Sequence, residues 1–258
     1  MTRFKTLSAA LGGIALLGAA ALVWPQSAPA AATAQPVAPV AAVAGEPVLL
    51  ELFTSQGCSS CPPADRLAES LAQQPGLVVI ARPVTYWDRL GWKDTLAREA
   101  NTQLQQDYAR RGLAGNNGVY TPQLVVNGSF GAVGSRSGDI AAGVKRYGSA
   151  SDAAIRVARR GAVGYAVSLS GTGEGAAELV LVAVTRKVIV GIGSGENGGR
   201  KVSYTNVLRS ERTIASWKGG KATIAIGADQ LKVAGADRYA LVLRAPGGGK
   251  VLATRWLG

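Results

Sequence analysis

The apolar and polar positions change their period near residue 150. Before that point strand and helix periods alternate. PVLLELFT (47–54) is a short continuous apolar run and predicts a buried strand. ADRLAESLAQQ (64–74) sets Leu67 and Leu71 at i, i+4 with charges between them. That spacing predicts an amphipathic helix, which Pro75-Gly76 ends. LVVIARPVTYW (77–87) reads as a second strand. DTLAREANTQLQQDYARRG (94–112) carries a stripe of Leu96, Ala100, Leu104 and Tyr108 and predicts a second helix ending at Gly112. PQLVVNG (122–128) is a strand closed by an Asn-Gly turn, with SFGAV (129–133) pairing back as a hairpin. SGDIAAGVKRYG (137–148) predicts a last helix with Ser137 as its cap. The order implies a small α/β sheet with helices on its faces.

After residue 150 no helical stripe of useful length appears. AAIRVAR, GYAVSLSG, AELVLVAVTRKVIVGIG, RKVSYTNVLRS, TIASW, KATIAIG and YALVLRAPGGGKVLATRW are β-type segments separated by Gly-rich turns. Several alternate with period two. They predict an antiparallel β-sandwich-like domain over residues 151–258, of roughly seven or eight strands.

The first 46 residues have a different texture. Arg3 and Lys5 precede an apolar run from Leu7 to Trp24, and small residues follow in APA and ATA. This predicts an export signal over residues 1–34, cleaved near its end. Left uncleaved, the run is just long enough to anchor the chain in a membrane. Residues 35–46 form a Pro/Ala tether. Either outcome puts the rest of the chain in the periplasm or outside the cell, where disulfides form.

Composition narrows the chemistry. The 258 residues hold 28 basic and 16 acidic side chains, two cysteines, no histidine, and Met1 as the only methionine. A closed zinc site uses four ligands, mostly Cys or His, so neither a metal nor another cofactor is expected. Residues 46–151 hold 10 basic and 9 acidic side chains, whereas residues 152–258 hold 16 and 7. The positive charge of the second half suits an anionic membrane surface or an acidic partner, or is simply a solvated basic face. Without aromatic–basic interleaving, nucleic acid is not an expected partner.

Both cysteines lie in SQGCSSCPP (55–63), between the first strand and the first helix. Two thiols three positions apart at a helix start close a disulfide with little backbone movement, and helix N–H groups favour the first thiolate. Cys-x-x-Cys at such a junction is the site of thioredoxin-like redox proteins. Cys58, nearer the strand end, is the expected solvent-reaching nucleophile, and Cys61 the resolving thiol. The alternative is a small structural clip, although so short a loop adds little stability. Pro62 and Pro63 suit a first helical turn and disfavour helical backbone at Cys61.

Further residues are candidates for substrate binding. Thr121-Pro122 precedes a predicted strand. A trans proline opening a strand is the ordinary reading, and a cis proline beside the cysteines is the one their context favours. In TYWDRLGWKD, Trp87 is either a wall for a peptide or core packing beneath a loop. Asp88 is either a proton carrier for Cys61 or the cap of a turn. Glu196, Asn197 and Arg200 cluster in a Gly-rich loop. That loop either lies over the cysteines and shapes access to them, or is fixed by a Glu196–Arg200 ion pair.

Four segments, VLLELFTSQGCSSCPPADRL, YWDRLGWKD, YTPQLVVNG and GENGGRKVSYTNVLR, together resemble an exported bacterial family, domain of unknown function 1223, of the thioredoxin-like superfamily. The resemblance runs from about residue 47 to the C-terminus. It implies an α/β thioredoxin-like domain (47–150) followed by the β-rich domain, and it brings no substrate. The function expected is that of an exported thiol–disulfide oxidoreductase acting on protein or peptide thiols and disulfides. The alternative is a non-catalytic thioredoxin-like scaffold that binds a partner at the cell envelope.

Overall fold

The computed structural model describes residues 45–148, 151–161, 164–173 and 175–258. The leader expected over residues 1–34, and the tether as far as residue 44, lie outside them. Among the described residues no helix is long and apolar enough to cross a membrane.

Strand β1 (Val48–Thr54) is the centre of the first half. It pairs in parallel with β2 (Leu77–Pro83) and antiparallel with β4 (Gln123–Val126). Strand β5 (Phe130–Val133) returns on β4 through a turn at Asn127 and Gly128, with φ of 44° and 62°. Residues 127–129 separate the paired Val126 and Phe130; the Ser129 N–H donates to Val126 O at 2.9 Å, and the two central residues of that turn are left-handed, which Asn-Gly tolerates. The short β3 (Ala114–Gly115) closes this edge.

Along β1 the side chains alternate between faces. Val48, Leu50 and Leu52 meet α1 (Pro62–Leu71) and α3 (Ser137–Tyr147) through Leu67, Leu71, Ile140 and Val144. On the other face Phe53 packs with Leu104 and Tyr108 of α2 (Glu99–Arg111).

Two helix starts differ from the sequence pattern. The Asp94 carboxylate accepts the Leu96 and Ala97 N–H groups, 2.8 and 3.1 Å, and Arg98 is extended, so α2 begins at Glu99 and Leu96 packs from the preceding loop. Ser137 lies inside the first turn of α3, which follows Arg136 with no side-chain cap.

The second half forms seven strands: β6 (Ala154–Arg160), β7 (Gly164–Ser170), β8 (Ala177–Gly191), β9 (Lys201–Trp217), β10 (Ala222–Ile226), β11 (Arg238–Arg244) and β12 (Val251–Leu257). TIASW is the end of β9 and not a separate strand; the long β8–β9 hairpin absorbs two register shifts.

The expected separate sandwich is corrected here. Four of these strands continue the first sheet, in the order β12-β11-β8-β9-β2-β1-β4-β5-β3. The join is parallel, β2 to β9 at Ala81 and Val207. An unpaired β2 edge would leave its N–H and C=O groups without partners, and β9 covers it. Strands β10, β7 and β6 form a second, three-stranded layer. Its Ile155, Val167 and Leu169 pack on Leu179, Leu181, Leu241 and Leu243, so a sandwich exists at that end only.

A charged cluster is buried between the two halves. Glu51 of β1 accepts from Arg82 Nε at 2.7 Å, from Arg244 Nη2 at 3.2 Å, and from the Tyr108 hydroxyl. Arg82 also reaches Glu211 at 2.7 Å and Asn101 at 3.2 Å. Burial alone would raise the Glu51 pKa; the two guanidiniums and the phenol outweigh it and hold the carboxyl below its ordinary value. Removing one partner of such a set leaves an uncompensated buried charge. Arg82→Met should therefore destabilise the fold by about 3–5 kcal/mol in urea unfolding. Lys187→Ala, which removes an exposed pair with Glu69, should cost less than about 1 kcal/mol.

Candidate functional site

The chain leaves β1 through two tight turns. Cys58 N–H donates to Ser55 O at 3.2 Å, and Cys61 N–H to Cys58 O at 3.1 Å. Cys61 O then accepts from Ala64 and Asp65, 2.9 and 3.1 Å, and becomes the first acceptor of α1. Pro62 and Pro63 occupy the first helical positions, where no N–H is needed. Cys61 itself has helical backbone, φ −76° and ψ −37°, against the usual preference before proline; its turn hydrogen bonds hold it there.

Cys58 and Cys61 form a disulfide across a Cα separation of 5.4 Å. Both are fully buried, at 0% exposure, while Ser59 and Ser60 between them are exposed. The sequence expectation that Cys58 reaches solvent is therefore corrected. Side chains of the second half bind the backbone of this loop. Asn197, itself buried, donates from Nδ2 to Cys58 O at 2.8 Å and to Gln56 O at 2.9 Å. Glu196 Oε2 accepts the Ser59 N–H at 3.0 Å. The Ser59 hydroxyl and N–H hold the Glu196 carboxyl below its ordinary value. Arg200 Nη1 donates to Asn197 Oδ1 at 3.0 Å and so orients the amide. The loop lies against the cysteine loop, and Arg200 pairs with Asn197 in place of Glu196.

Gln56 locks a second loop to the same place. Its N–H donates to Asp94 Oδ2 at 2.8 Å, and its Oε1 accepts from Trp92 Nε1 at 2.8 Å. Trp92 packs under Gly193 and Gly195: a Cβ at Gly193 would lie 2.9 Å from its ring. Ser194 Oγ donates to Gly91 O at 2.7 Å. The 193–200 turn is thus held by the cysteine loop below and by the Trp92 loop beside it.

The other sequence candidates divide. The Phe53–Gln123 pairing sets Pro122 beside the end of β1, at the sheet end that carries the cysteines, and the Thr121–Pro122 peptide is cis. Gln105 Nε2 fixes this segment through Tyr120 O, 2.7 Å. Trp87 packs on the Phe53, Val84 and Tyr108 cluster and touches Gly57, which is the core-packing reading. Thr121 Oγ1 and Trp87 Nε1 are shielded from solvent and have no hydrogen-bond partner. Asp88 closes a turn by accepting the Asp94 N–H at 3.1 Å, so the carboxylate that meets the cysteine loop is Asp94.

Asp65 is the acid that sequence reasoning missed. It is buried in α1, accepts from Thr54 Oγ1 at 2.8 Å through one oxygen, and leaves the other unpartnered. Burial pushes its pKa to about 8, with the Asp94 charge adding to the rise. Burial and then these two acids also raise the Tyr204 hydroxyl. In the sequence Asp65 reads as a first-turn acid of an exposed helix face, and Gln56 as a loop residue.

A family model described as Protein of unknown function (DUF1223) matches residues 49–244. The chain belongs to the DUF1223 family. The four segments of the site fall within that match. This DUF1223 chain resembles the crystal structure of protein AGR_C_4864 from Agrobacterium tumefaciens, with 30% identity and a TM-score of 0.69, over 83% of this chain and 96% of that one. It shares a fold with HBP35 of Porphyromonas gingivalis, at 14% identity and a TM-score of 0.50, over 82% of this chain and 74% of that one. No curated protein matches it.

Asp65 makes stability depend on pH in a defined direction. Below about pH 4 the carboxyl is protonated in both folded and unfolded chains. Between about pH 4 and 8 the unfolded chain releases the proton while the folded chain keeps it, so stability falls as pH rises. In denaturant unfolding at pH 4, 6 and 8, the stability of Asp65→Asn relative to the wild type should improve steadily across this window. A constant difference would contradict the assignment.

Proposed function

We propose that the chain is an exported thiol–disulfide oxidoreductase of thioredoxin-like design, with Cys58 and Cys61 as its redox pair. The reading rests on one observation: the only two cysteines are joined at a strand–helix junction, with Pro122 at the same end of the sheet. The order β2-β1-β4-β5, with β1 and β2 parallel and helices on both faces, supports the thioredoxin-like part. In the reduced protein the Cys58 thiolate attacks a substrate disulfide, forms a mixed disulfide and releases one substrate thiolate. The Cys61 thiolate then attacks Cys58 Sγ, releases the second substrate thiol and restores the Cys58–Cys61 bond; the pair is oxidised and the substrate reduced. No cofactor takes part. The 193–200 turn must lift for a substrate to reach the sulfurs.

Full burial of the pair favours a second reading, a scaffold that holds a partner at the cell envelope and keeps the disulfide as an inert clip. Alkylation and trapping separate the two. In reduced protein Cys58 should label before Cys61 at neutral pH, and Cys61→Ser should trap a mixed disulfide with a model peptide through Cys58. Asn197→Ala removes two hydrogen bonds from the cysteine loop, worth about 1–3 kcal/mol together, and should speed reduction of the wild-type disulfide by about tenfold. Equal slow labelling, no adduct and no effect of Asn197→Ala would leave the scaffold.

A further inference from the structure

The positive charge of the second half is gathered as well as abundant. A cleft of about 530 Å³ opens where the end of β6, the start of β7, the start of β11 and the short turn Ala228–Leu231 meet. Arg159, Arg186, Arg238 and Lys232 line it, and Asp237 is the one acidic side chain in its wall. Lys232 is paired with Asp229 at 2.7 Å, and Asp237 Oδ1 is occupied by the Arg186 backbone N–H at 2.8 Å. Among the described residues, no acidic side chain forms an ion pair with any of the three guanidiniums, and none of the three donates a side-chain hydrogen bond.

Two of the guanidiniums are nevertheless held in place. Arg238 stacks 3.7 Å above the Trp256 ring, and Arg159 lies 5.9 Å from the Tyr165 ring centre. An aromatic face supports a guanidinium through its flat side and leaves the in-plane N–H fork free. Such a fork is oriented for an oxyanion before one arrives. Partial burial and then the Arg186 charge hold the Arg238 guanidinium below its ordinary pKa, with Asp237 opposing, so the cleft carries a like-charge contact that an anion would relieve. A second hollow of about 390 Å³ shares Arg186, Arg238 and Gly258. The two arginines therefore stand between adjoining spaces.

We propose that this cleft binds a phosphate-type oxyanion carrying an organic group, held by the forks of Arg238 and Arg186 with Arg159 as the third donor. Three guanidiniums offer more N–H groups than one planar carboxylate has lone pairs to use, whereas a phosphate presents several oxygens in three dimensions. The space exceeds what a bare ion fills and lies in the range of small-molecule sites. A soluble phosphate ester and a phospholipid headgroup share this chemistry.

The test uses the full, oxidised chain in phosphate-free buffer. The probes are inorganic phosphate, glycerol 3-phosphate, and phosphatidylcholine vesicles with and without phosphatidylglycerol. Calorimetric titration and vesicle sedimentation should show saturable binding that weakens at least about tenfold in the Arg186→Gln/Arg238→Gln variant. The Lys218→Gln/Lys221→Gln variant removes the same charge from the β9–β10 turn and should bind as the wild type does. Arg159→Gln alters an exposed residue and should weaken binding in its own right, so the test stands if the first variant folds poorly. Binding of soluble probes assigns a free phosphate ester; binding only of phosphatidylglycerol vesicles, with the same dependence on Arg186 and Arg238, assigns a headgroup. No binding of any probe, or equal loss in the two double variants, would overturn the site.

Discussion

A carboxylate in the middle of a sheet cannot stay charged without cations beside it, and that constraint organises this molecule. Glu51 sits on the central strand, fully buried, and its guanidiniums come from both halves of the chain: Arg82 from β2 and Arg244 from β11. Arg82 in turn neutralises Glu211 on β9. Loss of either cross-half partner while the cluster stays buried would leave a charge uncompensated, at a cost well above that of any surface pair. The nine-stranded sheet is therefore one unit electrostatically as well as by hydrogen bonding, although its join at Ala81 and Val207 is narrow.

The same union builds the site. Both halves bind the loop that carries the disulfide. The first supplies the turn-and-helix geometry around Cys58 and Cys61, and the second supplies the amide of Asn197 that caps the Gln56 and Cys58 carbonyls. A buried disulfide beside a polar turn differs from one lying open at a sheet end. The turn is held by a few hydrogen bonds and by Trp92, with Ile192 at its base in an apolar cluster.

Much of this was legible in the sequence because it is local. The i, i+4 leucines of α1, the short apolar run of β1 and the Asn127-Gly128 turn act over a few residues, and these three stand where their pattern put them. The cysteine spacing and Pro122 led to one end of one sheet for the same reason. What stayed hidden depends on distant partners. The β2–β9 pairing joins segments more than a hundred residues apart through a single bridged pair, so no periodicity announces it. Asn101 and Gln105 look like the wet face of α2 and are fully buried, because they bond to Arg82, Pro83, Tyr120 and Gln123. Asp65 has the pattern of an exposed first-turn acid, and only the strand packed over α1 makes it a buried one. The GENGGR loop showed a polar cluster but not which surface it would meet.

The turn also has a position in time. Asn197 follows Cys58 by 139 residues, so a chain made from its N-terminus completes the cysteine loop long before the Asn197 turn exists. At ordinary synthesis speeds that interval is roughly 7–28 seconds. Throughout it the Gln56 and Cys58 carbonyls lack the amide that caps them in the folded chain. The order of residues thus makes the cysteine loop the earlier-made side of this contact and the Asn197 turn the later one.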